Sequence, residues 1–166
     1  MGYQLIETIE VGAGGAASIE FTAIPQDGVD LVLLVSGKCD SANTDETLRV
    51  DINNDFDNQV GVHFRGTGTS VINGTGQGFK GKINGLGSTS ANIWNNASLY
   101  FSNYTETGTK VFSSDNVTEE NRSYAITHMG SYQYLGTLPI TAITIAAGAG
   151  NIVQYSTVSL YKITAG

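Results

Sequence analysis

The sequence predicts an all-β protein, specifically an antiparallel β-sandwich of the jelly-roll type. Short segments of alternating apolar and polar residues are separated by turn signals at intervals of roughly 8–15 residues, and no segment shows helical periodicity. Charged residues make up only 14% of the chain, whereas Gly accounts for 21 of its 166 residues. Helices need the Ala, Leu, Glu and Lys that are scarce here, so the composition favours strands joined by many turns.

The N-terminal part of the chain predicts two strands and a tight corner. The alternation in Tyr3–Val11 is interrupted only by Glu7, and we expect its apolar residues to lie on one side of a strand: Tyr3, Leu5, Ile9 and Val11. Ala17–Ile24 alternates in the same way. It is followed by Pro25–Gly28, where Pro favours a turn and Gly accepts a positive φ.

The longest near-continuous apolar run, Leu31–Gly37, predicts the central strand. Its consecutive large aliphatic residues leave no face for solvent, so we expect this strand to be covered on both sides. Thr47–Asn53 and Val60–Arg65 then alternate strictly, and each places its apolar set on one face. A polar loop of about six or seven residues separates these two segments, and the pattern predicts a hairpin.

Residues 66–90 are rich in Gly, Ser, Thr and Asn and contain few apolar anchors. Because Gly loses much backbone entropy on folding, we expect a long loop with one or two short β segments. Arg65, Lys80 and Lys82 make this region basic. Long loops in compact domains are often functional, so these residues are candidates for contacts with a partner.

The remainder of the chain completes the set of about nine or ten predicted strands. The segments with strand character are Ala97–Tyr104, Lys110–Phe112, Arg122–Tyr134, Leu138–Ala146 and Ile152–Thr164. An immunoglobulin-type domain is disfavoured because the chain lacks a Cys…Trp…Cys framework. No internal repeat or linker is visible, and the sequence predicts a single domain over residues 1–166 with a long Gly-rich loop at about 66–90.

The charge of the chain is unevenly distributed. The net charge is −7 and the isoelectric point is near 4.6, which argues against nucleic acid as a partner. Residues 1–57 hold 11 acids and two bases, whereas residues 58–110 hold one acid and four bases. This difference is typical of a solvated surface, or it indicates complementary faces in a self-associating protein. No stretch reaches the ~18 apolar residues of a membrane span, so we expect no membrane insertion.

No residue constellation in the sequence indicates catalysis or a cofactor. Asp51–Asp57 resembles the start of a calcium loop, but Phe56 occupies the position of its Gly and Val62 that of its Glu, so an Asn- and Asp-rich turn is favoured over a metal site. His63 and His128 have no ligand-spaced partner, and Cys39 has no supporting base. We therefore expect no catalytic, cofactor or metal residues and no enzyme activity.

The aromatic residues raise a binding alternative. Trp94, Tyr100, Tyr104, Tyr132 and Tyr134 could form a stacking platform for sugar rings on one face of the sandwich, or they could pack across strands and at subunit contacts. Together with the basic residues above, they give a set of candidate interface residues: Arg65, Lys80, Lys82, Trp94, Tyr100 and Tyr104.

Four segments of the chain resemble a group of small, mostly uncharacterised proteins of tailed phages and marine viruses. These segments are Ile19–Gln26, Asp30–Leu33, Leu48–Asn53 and Val158–Ile163. The likeness is specific over residues 3–53 and at the C-terminus, and only compositional between residues 66 and 120. Asn53-Asn54-Asp55 departs from the Asn-Gly turn of that group, which affects the expected loop geometry and not the strands.

The resemblance implies a non-enzymatic virion component of jelly-roll type. The expected role is a head decoration or cement protein that binds the outer capsid surface and stabilises contacts between major capsid subunits. The alternative is a carbohydrate- or receptor-binding module of a tail fibre or spike. The expected partners are the major capsid protein and further copies of the chain, as a homotrimer, in a virion assembled in the host cytoplasm.

Overall fold

The computed structural model describes residues 2–76, 80–87, 93–119 and 125–165, and every regular element in these ranges is a β-strand. The strands are β1 (Gly2–Glu10), β2 (Ile19–Phe21), β3 (Asp30–Gly37), β4 (Asp45–Ile52), β5 (Gln59–Gly66), β6 (Val71–Thr75), β7 (Lys82–Asn84), β8 (Asn95–Phe101), β9 (Lys110–Glu119), β10 (Ala125–Tyr134), β11 (Ile143–Ala147) and β12 (Thr157–Thr164). Over the same ranges there is no helix that could cross a lipid bilayer.

The strands form two antiparallel sheets. The large sheet has eight strands in the order β1-β12-β3-β8-β9-β10-β5-β6, and the small sheet has four in the order β2-β11-β4-β7. Every pairing between neighbouring strands is antiparallel. The prediction of an all-β protein built from antiparallel sheets is therefore confirmed.

The hydrophobic core lies between the two sheets, as in a β-sandwich. Both sheets contribute fully buried side chains, among them Leu31, Leu33, Leu99 and Phe101 from the large sheet and Leu48, Val50, Ile52, Ile143 and Ile145 from the small one. Successive residues of a strand point to opposite faces, so each of these strands presents every second residue to the core.

Strand β3 is central in the large sheet, between β12 and β8, but the prediction that it is covered on both sides is wrong. Leu31, Leu33 and Val35 are buried, whereas Val32 is half-buried and Leu34 is 41% exposed. The small sheet covers only one face of the large sheet, and no described element lies over the other face. A run of aliphatic residues in β3 therefore faces both the core and solvent.

The N-terminal strand β1 also differs from its prediction. Tyr3 is 70% exposed and Leu5 is 50% exposed, so they do not share a buried face with Val11. The pairing with β12 shifts register between Leu5 and Glu7, as expected for a β-bulge. The extra residue reverses the alternation, and Ile6 and Ile9 pack against the core instead.

The predicted hairpin between β4 and β5 is not present. β4 lies in the small sheet between β11 and β7, and β5 lies in the large sheet between β10 and β6. The chain turns after β4 at Asn53 and Asn54, which have φ angles of 52° and 57°. The Asn53 side chain accepts hydrogen bonds from the backbone N–H of Thr141 (2.8 Å) and Ala142 (3.1 Å), which holds this corner against the entry to β11. Asn residues tolerate such left-handed positions better than most others.

The Gly-rich segment contains two short strands, β6 and β7, which lie in different sheets. Residues 77–79 and 88–92 fall outside the described ranges, as does the predicted strand start at residues 122–124. The chain thus crosses between the sheets within this segment, and β6 becomes the last strand of the large sheet.

Candidate functional site

The candidate site is the face of the large sheet that points away from the core, here called the outer face. Among the described residues, strands β3, β5, β8, β9 and β10 carry eight large apolar side chains on this face, with exposed fractions between 39% for Val60 and 57% for Met129. They are Leu34 on β3, Tyr100 on β8, Val111 and Val117 on β9, Met129 on β10, and Val60, Val62 and Phe64 on β5. An apolar area spread over so many neighbouring strands is larger than the scattered apolar residues of an ordinary surface.

The strand register joins these side chains into a continuous surface. Tyr100 on β8 lies opposite Ser113 on β9, Ser113 lies opposite Ser131 on β10, and Ser131 lies opposite Val62 on β5. In the next row, Met129 is paired directly with Phe64. Directly opposite side chains in a sheet are in contact range, so this row joins the apolar side chains of β8 and β5 through the hydroxyl groups of Ser113 and Ser131.

An open groove of about 690 Å³ runs along this surface. Its floor carries the small residues Ser113 and Ser131, and the side chains of Val60, Val62, Tyr100 and Val111 flank it. Small side chains between rows of larger ones leave a depression, because solvent there can approach the backbone of the sheet. The groove therefore combines aliphatic walls with hydroxyl groups on its floor.

A stack of aromatic rings supports the groove from the core side. Phe101, Phe112 and Tyr132 stack with ring centroids 4.9 and 5.1 Å apart. The Tyr132 ring lies against the backbone of Gly61. A Cβ atom on residue 61 would lie only 2.2 Å from Cδ1 of the Tyr132 ring. Gly61 therefore allows β5 to pass close to this stack, and offset ring packing of this kind stabilises the sheet below the groove.

The outer face carries acidic groups and, among the described residues, no Lys or Arg side chain. Asp115 is exposed beside Met129 and Ser98. Asp30 accepts hydrogen bonds from the Tyr100 hydroxyl and from the backbone N–H of Asn103 (2.8 Å). The bond to Asp30 raises the pKa of Tyr100 to about 12, because it stabilises the protonated phenol. The outer face is thus largely apolar, and its charged groups are negative.

The described cations lie elsewhere, several of them between the sheets. The Arg65 guanidinium is 3.4 Å and the Lys82 ammonium 2.9 Å from the carboxylate of Asp45 on β4. Lys162 forms a further ion pair with Asp27 at 2.5 Å. Acids of the N-terminal segment therefore pair with bases from later in the same chain, including two from the basic middle segment.

Two histidines lie close to the Asp45 cluster. His128 is almost completely buried, and burial together with the neighbouring Arg65 lowers its pKa to about 4. Burial also lowers the pKa of His63. Both imidazoles are therefore neutral near pH 7 and form part of the packed polar end of the sandwich.

Lys80 is fully buried under the outer face. Its ammonium lies 4.5 Å from the ring centroid of Tyr132 and 5.6 Å from that of Phe112, which are cation–π distances. Burial lowers the pKa of Lys80 to about 8, and the nearby Asp51 offsets part of this effect. Lys80 therefore acts inside the fold and has no exposed surface in this conformation.

The six sequence-predicted interface residues separate into different environments. Only Tyr100 projects from the outer face. Tyr104 is fully buried, and its hydroxyl bonds to the Pro25 carbonyl and accepts the Gly28 N–H at 3.2 Å, which secures the corner before β3. Trp94 is half-buried just before β8, while Arg65, Lys80 and Lys82 occupy the inner positions described above.

Candidate metal and nucleophile sites are weak in the described structure. Within the described ranges, no three His, Cys, Asp or Glu side chains are placed to hold a metal ion. Cys39 is fully buried, and burial raises the pKa of its thiol. In the Asp51–Asp57 segment, Asp51 pairs with Arg49 at 3.6 Å and Asn53 supports the turn, as described for the fold. These side chains serve local structure.

Of the outer-face residues, only Tyr100 is among the sequence-predicted interface residues, because strand alternation alone does not show which of its two sets faces the core. In β5 the alternation is real, but Val60, Val62 and Phe64 point outward while His63 and Arg65 point inward to the polar cluster. No sequence signal places His63 and Arg65 inward, because the Asp45 carboxylate that pairs with Arg65 lies on a strand of the other sheet.

Comparison of the chain with protein-family models, with curated proteins and with solved structures finds no match in any of the three, so none of them links it to the phage proteins that its sequence resembles.

Proposed function

We propose that this protein is a non-enzymatic structural component of a phage virion, a capsid decoration or cement protein of jelly-roll fold. In this proposal its outer face binds the outer surface of the head and stabilises contacts between major capsid subunits. The observation that carries the proposal is the outer face with its many exposed apolar side chains, which no described part of the chain covers.

The strand pairings support a jelly-roll topology. In a jelly roll the first strand pairs with the last, the second with the seventh, the third with the sixth and the fourth with the fifth. With β1, β2, β3, β4, β7, β8, β11 and β12 taken as the eight strands, these pairs correspond to β1 with β12, β2 with β11, β3 with β8 and β4 with β7, all of which are present. On this reading, β9, β10, β5 and β6 extend one edge of the large sheet beyond β8.

That extension gives the proposed docking surface its size. Most of the groove and of the exposed apolar residues lie on β9, β10 and β5, beside the eight strands of the proposed jelly roll. Exposed apolar patches of this extent mark binding surfaces in soluble proteins. The absence of cations among its described residues favours a partner surface that combines apolar side chains with basic ones.

A specific observation favours a second candidate, a carbohydrate- or receptor-binding module of a tail fibre or spike. The groove presents the exposed Tyr100 ring together with Gln133 and the hydroxyl groups of Ser102, Ser113 and Ser131. An aromatic ring beside several hydrogen-bonding groups is the composition that sugar rings require. The aliphatic walls fit a protein partner better, so the decoration role is placed first.

The decisive experiment is quantitative mass spectrometry of purified particles of the encoding virus. A cement protein is expected in hundreds of copies per particle and a fibre module in tens or fewer, counted against the major capsid protein. Absence from the particle would refute both roles.

The docking surface is tested by rebinding the protein to heads that lack it. Phe64→Glu/Met129→Glu places charges at the directly paired centre of the outer face and should abolish binding. Thr22→Glu, at an exposed position beside β2, is the matched control and should bind like wild type. Equal binding by the double variant would exclude the outer face as the capsid-binding surface, and binding of glycans in place of heads would favour the fibre role.

A further inference from the structure

Strand β6 is the last strand at one edge of the large sheet in the described part of the chain. It consists of Val71-Ile72-Asn73-Gly74-Thr75, which includes no charge and no Pro, and Val71 and Ile72 are 74% and 48% exposed. Within the described ranges no strand pairs with its far side. Edges of this kind attract additional strands, and proteins usually protect them with charges, Pro or bulges.

The ladder with β5 determines which backbone groups of β6 are free. Gly76 donates its N–H to the carbonyl of Gly61 at 3.1 Å, and Thr67 donates to Ser70 at 3.0 Å. Hydrogen-bonded pairs alternate along an antiparallel ladder, so Ile72 and Gly74 also direct their N–H and C=O groups to β5. The N–H and C=O groups of the residues between them, at positions 71, 73 and 75, point away from the sheet.

The opposite edge of the same sheet, β1, is built differently. It contains the bulge between Leu5 and Glu7, and it carries the acids Glu7 and Glu10. These are two of the devices that prevent strand addition, because a bulge interrupts the ladder and like charges repel a second copy. Within the described ranges, the sheet therefore has one protected edge and one open edge.

We propose that β6 pairs antiparallel with β6 of a second copy, about a two-fold axis that passes through Asn73. Val71 then lies opposite Thr75 of the other copy, and Asn73 lies opposite its own equivalent. Each copy contributes three outward N–H and three outward C=O groups, so all six N–H groups in the dimer find acceptors. The side chains that meet are uncharged, and the two Asn73 amides are able to hydrogen-bond to each other.

The self-complementarity of the edge is the reason for choosing a second copy as the occupant. A two-fold interface uses the same patch on both partners, and the outward positions of β6 are symmetric about Asn73. The pairing also joins two large sheets edge to edge, so that the two outer faces form one surface. The proposal is independent of the decoration role, and it gives a dimer where the viral resemblance implies a trimer.

A charge-exchange experiment at Asn73 tests this pairing. Wild type is expected to have twice the monomer mass of 17.5 kDa in light scattering or sedimentation equilibrium. Asn73→Lys and Asn73→Asp should each be monomeric, because like charges meet at the axis. Their equimolar mixture should recover the dimer, while Asn73→Ser, which adds no charge, should stay dimeric. Recovery in the mixture also shows that both variants are folded.

Hydrogen exchange gives a residue-level readout of the same interface. The N–H groups of Ile72 and Gly74 should be protected at every protein concentration by the ladder to β5. Protection of the backbone N–H at position 73 should rise with concentration in wild type and be absent in Asn73→Lys. A monomer at every concentration, a trimer, or a dimer that persists in Asn73→Lys would overturn the proposal.

Discussion

The two faces of the large sheet are built on the same strands but have opposite surroundings. On the inner face, Leu33 is fully buried against the small sheet, whereas the next residue, Leu34, is 41% exposed on the outer face. The inner face also encloses ionisable groups such as Lys80 and His128, whose pKa values are strongly lowered. The outer face has aliphatic side chains that the described fold does not need for its core.

This difference assigns the stability of the fold to the inner face and leaves the outer face for binding. Side chains on the inner face hold the two sheets together, so their replacement should change the free energy of unfolding. Those on the outer face contribute little to the isolated protein and are available to a partner. Variants that compare the two faces at matched positions therefore test whether the division is real.

The largest expected effect comes from Leu33→Asp compared with Leu34→Asp. A charge at position 33 would be buried without a partner and should cost several kcal/mol against a total stability of about 5–15 kcal/mol, enough to prevent soluble folding. The same charge at position 34 should lower the free energy of unfolding by less than about 1 kcal/mol, because it remains solvated. The soluble yield of each variant, followed by urea denaturation of any variant that is soluble, measures the difference.

Equal stability of these two variants would mean that the small sheet does not cover β3 as described. A strongly destabilised Leu34→Asp would instead indicate that something covers the outer face in the isolated protein. Leu34→Ser serves as the uncharged control, since it removes the apolar side chain without adding a charge.

The inner face could largely be predicted from the sequence, and the outer face could not. Leu31, Leu33 and Val35 were expected in the core because strand alternation and apolar character agree. Leu34 belongs to the same run, and only the number of layers over the sheet decides whether it is buried. The Asp45 cluster was also inaccessible to sequence reasoning, because Arg65 and Lys82 come from strands in different sheets.

Acid should destabilise the folded protein through His128. Its pKa is about 4 in the folded state and about 6.5 unfolded, so the unfolded chain binds the additional proton as the pH falls between these values. The free energy of unfolding should therefore fall by about 3 kcal/mol between pH 6.5 and pH 4 from this group. In His128→Gln this part of the pH dependence should be absent in denaturant titrations at pH 7, 5.5 and 4.5.

His63 contributes in the same direction, so His63→Gln is the matched comparison for this prediction. An imidazole signal for His128 that titrates near 6.5 in proton NMR would contradict it. The Asp45, Arg65 and Lys82 charges face His128, and a variant at any of them should shift that titration.

On the alkaline side, Lys80→Met should reveal the cost of the buried ammonium. The folded pKa of about 8 lies below the unfolded value of about 10.5, so wild type gains stability as the pH rises between them. That gain corresponds to roughly 3 kcal/mol. At neutral pH, burial of the charged ammonium costs about this much, and cation–π attraction worth about 1–2 kcal/mol offsets part of the cost. Lys80→Met should thus be at least as stable as wild type at pH 7, and the variant's relative stability should decline towards pH 10 in thermal denaturation.

A Lys80→Met variant that is much less stable than wild type at pH 7 would contradict this prediction. It would show that attractive contacts of the ammonium outweigh the free-energy cost of its burial. Lys162→Met is a useful contrast, because Lys162 pairs directly with the exposed carboxylate of Asp27.

The smallest effect is expected on the outer face itself, at Tyr100. Its hydroxyl bonds to Asp30, but the residue is 40% exposed, so Tyr100→Phe should lower the free energy of unfolding by less than about 1 kcal/mol. The bond raises the pKa of Tyr100 to about 12, above the unfolded value of about 10, so its small stabilisation should be lost as the pH rises through this range. In a spectrophotometric titration, Asp30→Asn should bring one tyrosine ionisation back towards pH 10, and Tyr100→Phe should remove it. An unchanged titration in Asp30→Asn would mean that Tyr100 is not held by this carboxylate, and the ring would then be free to turn over the groove.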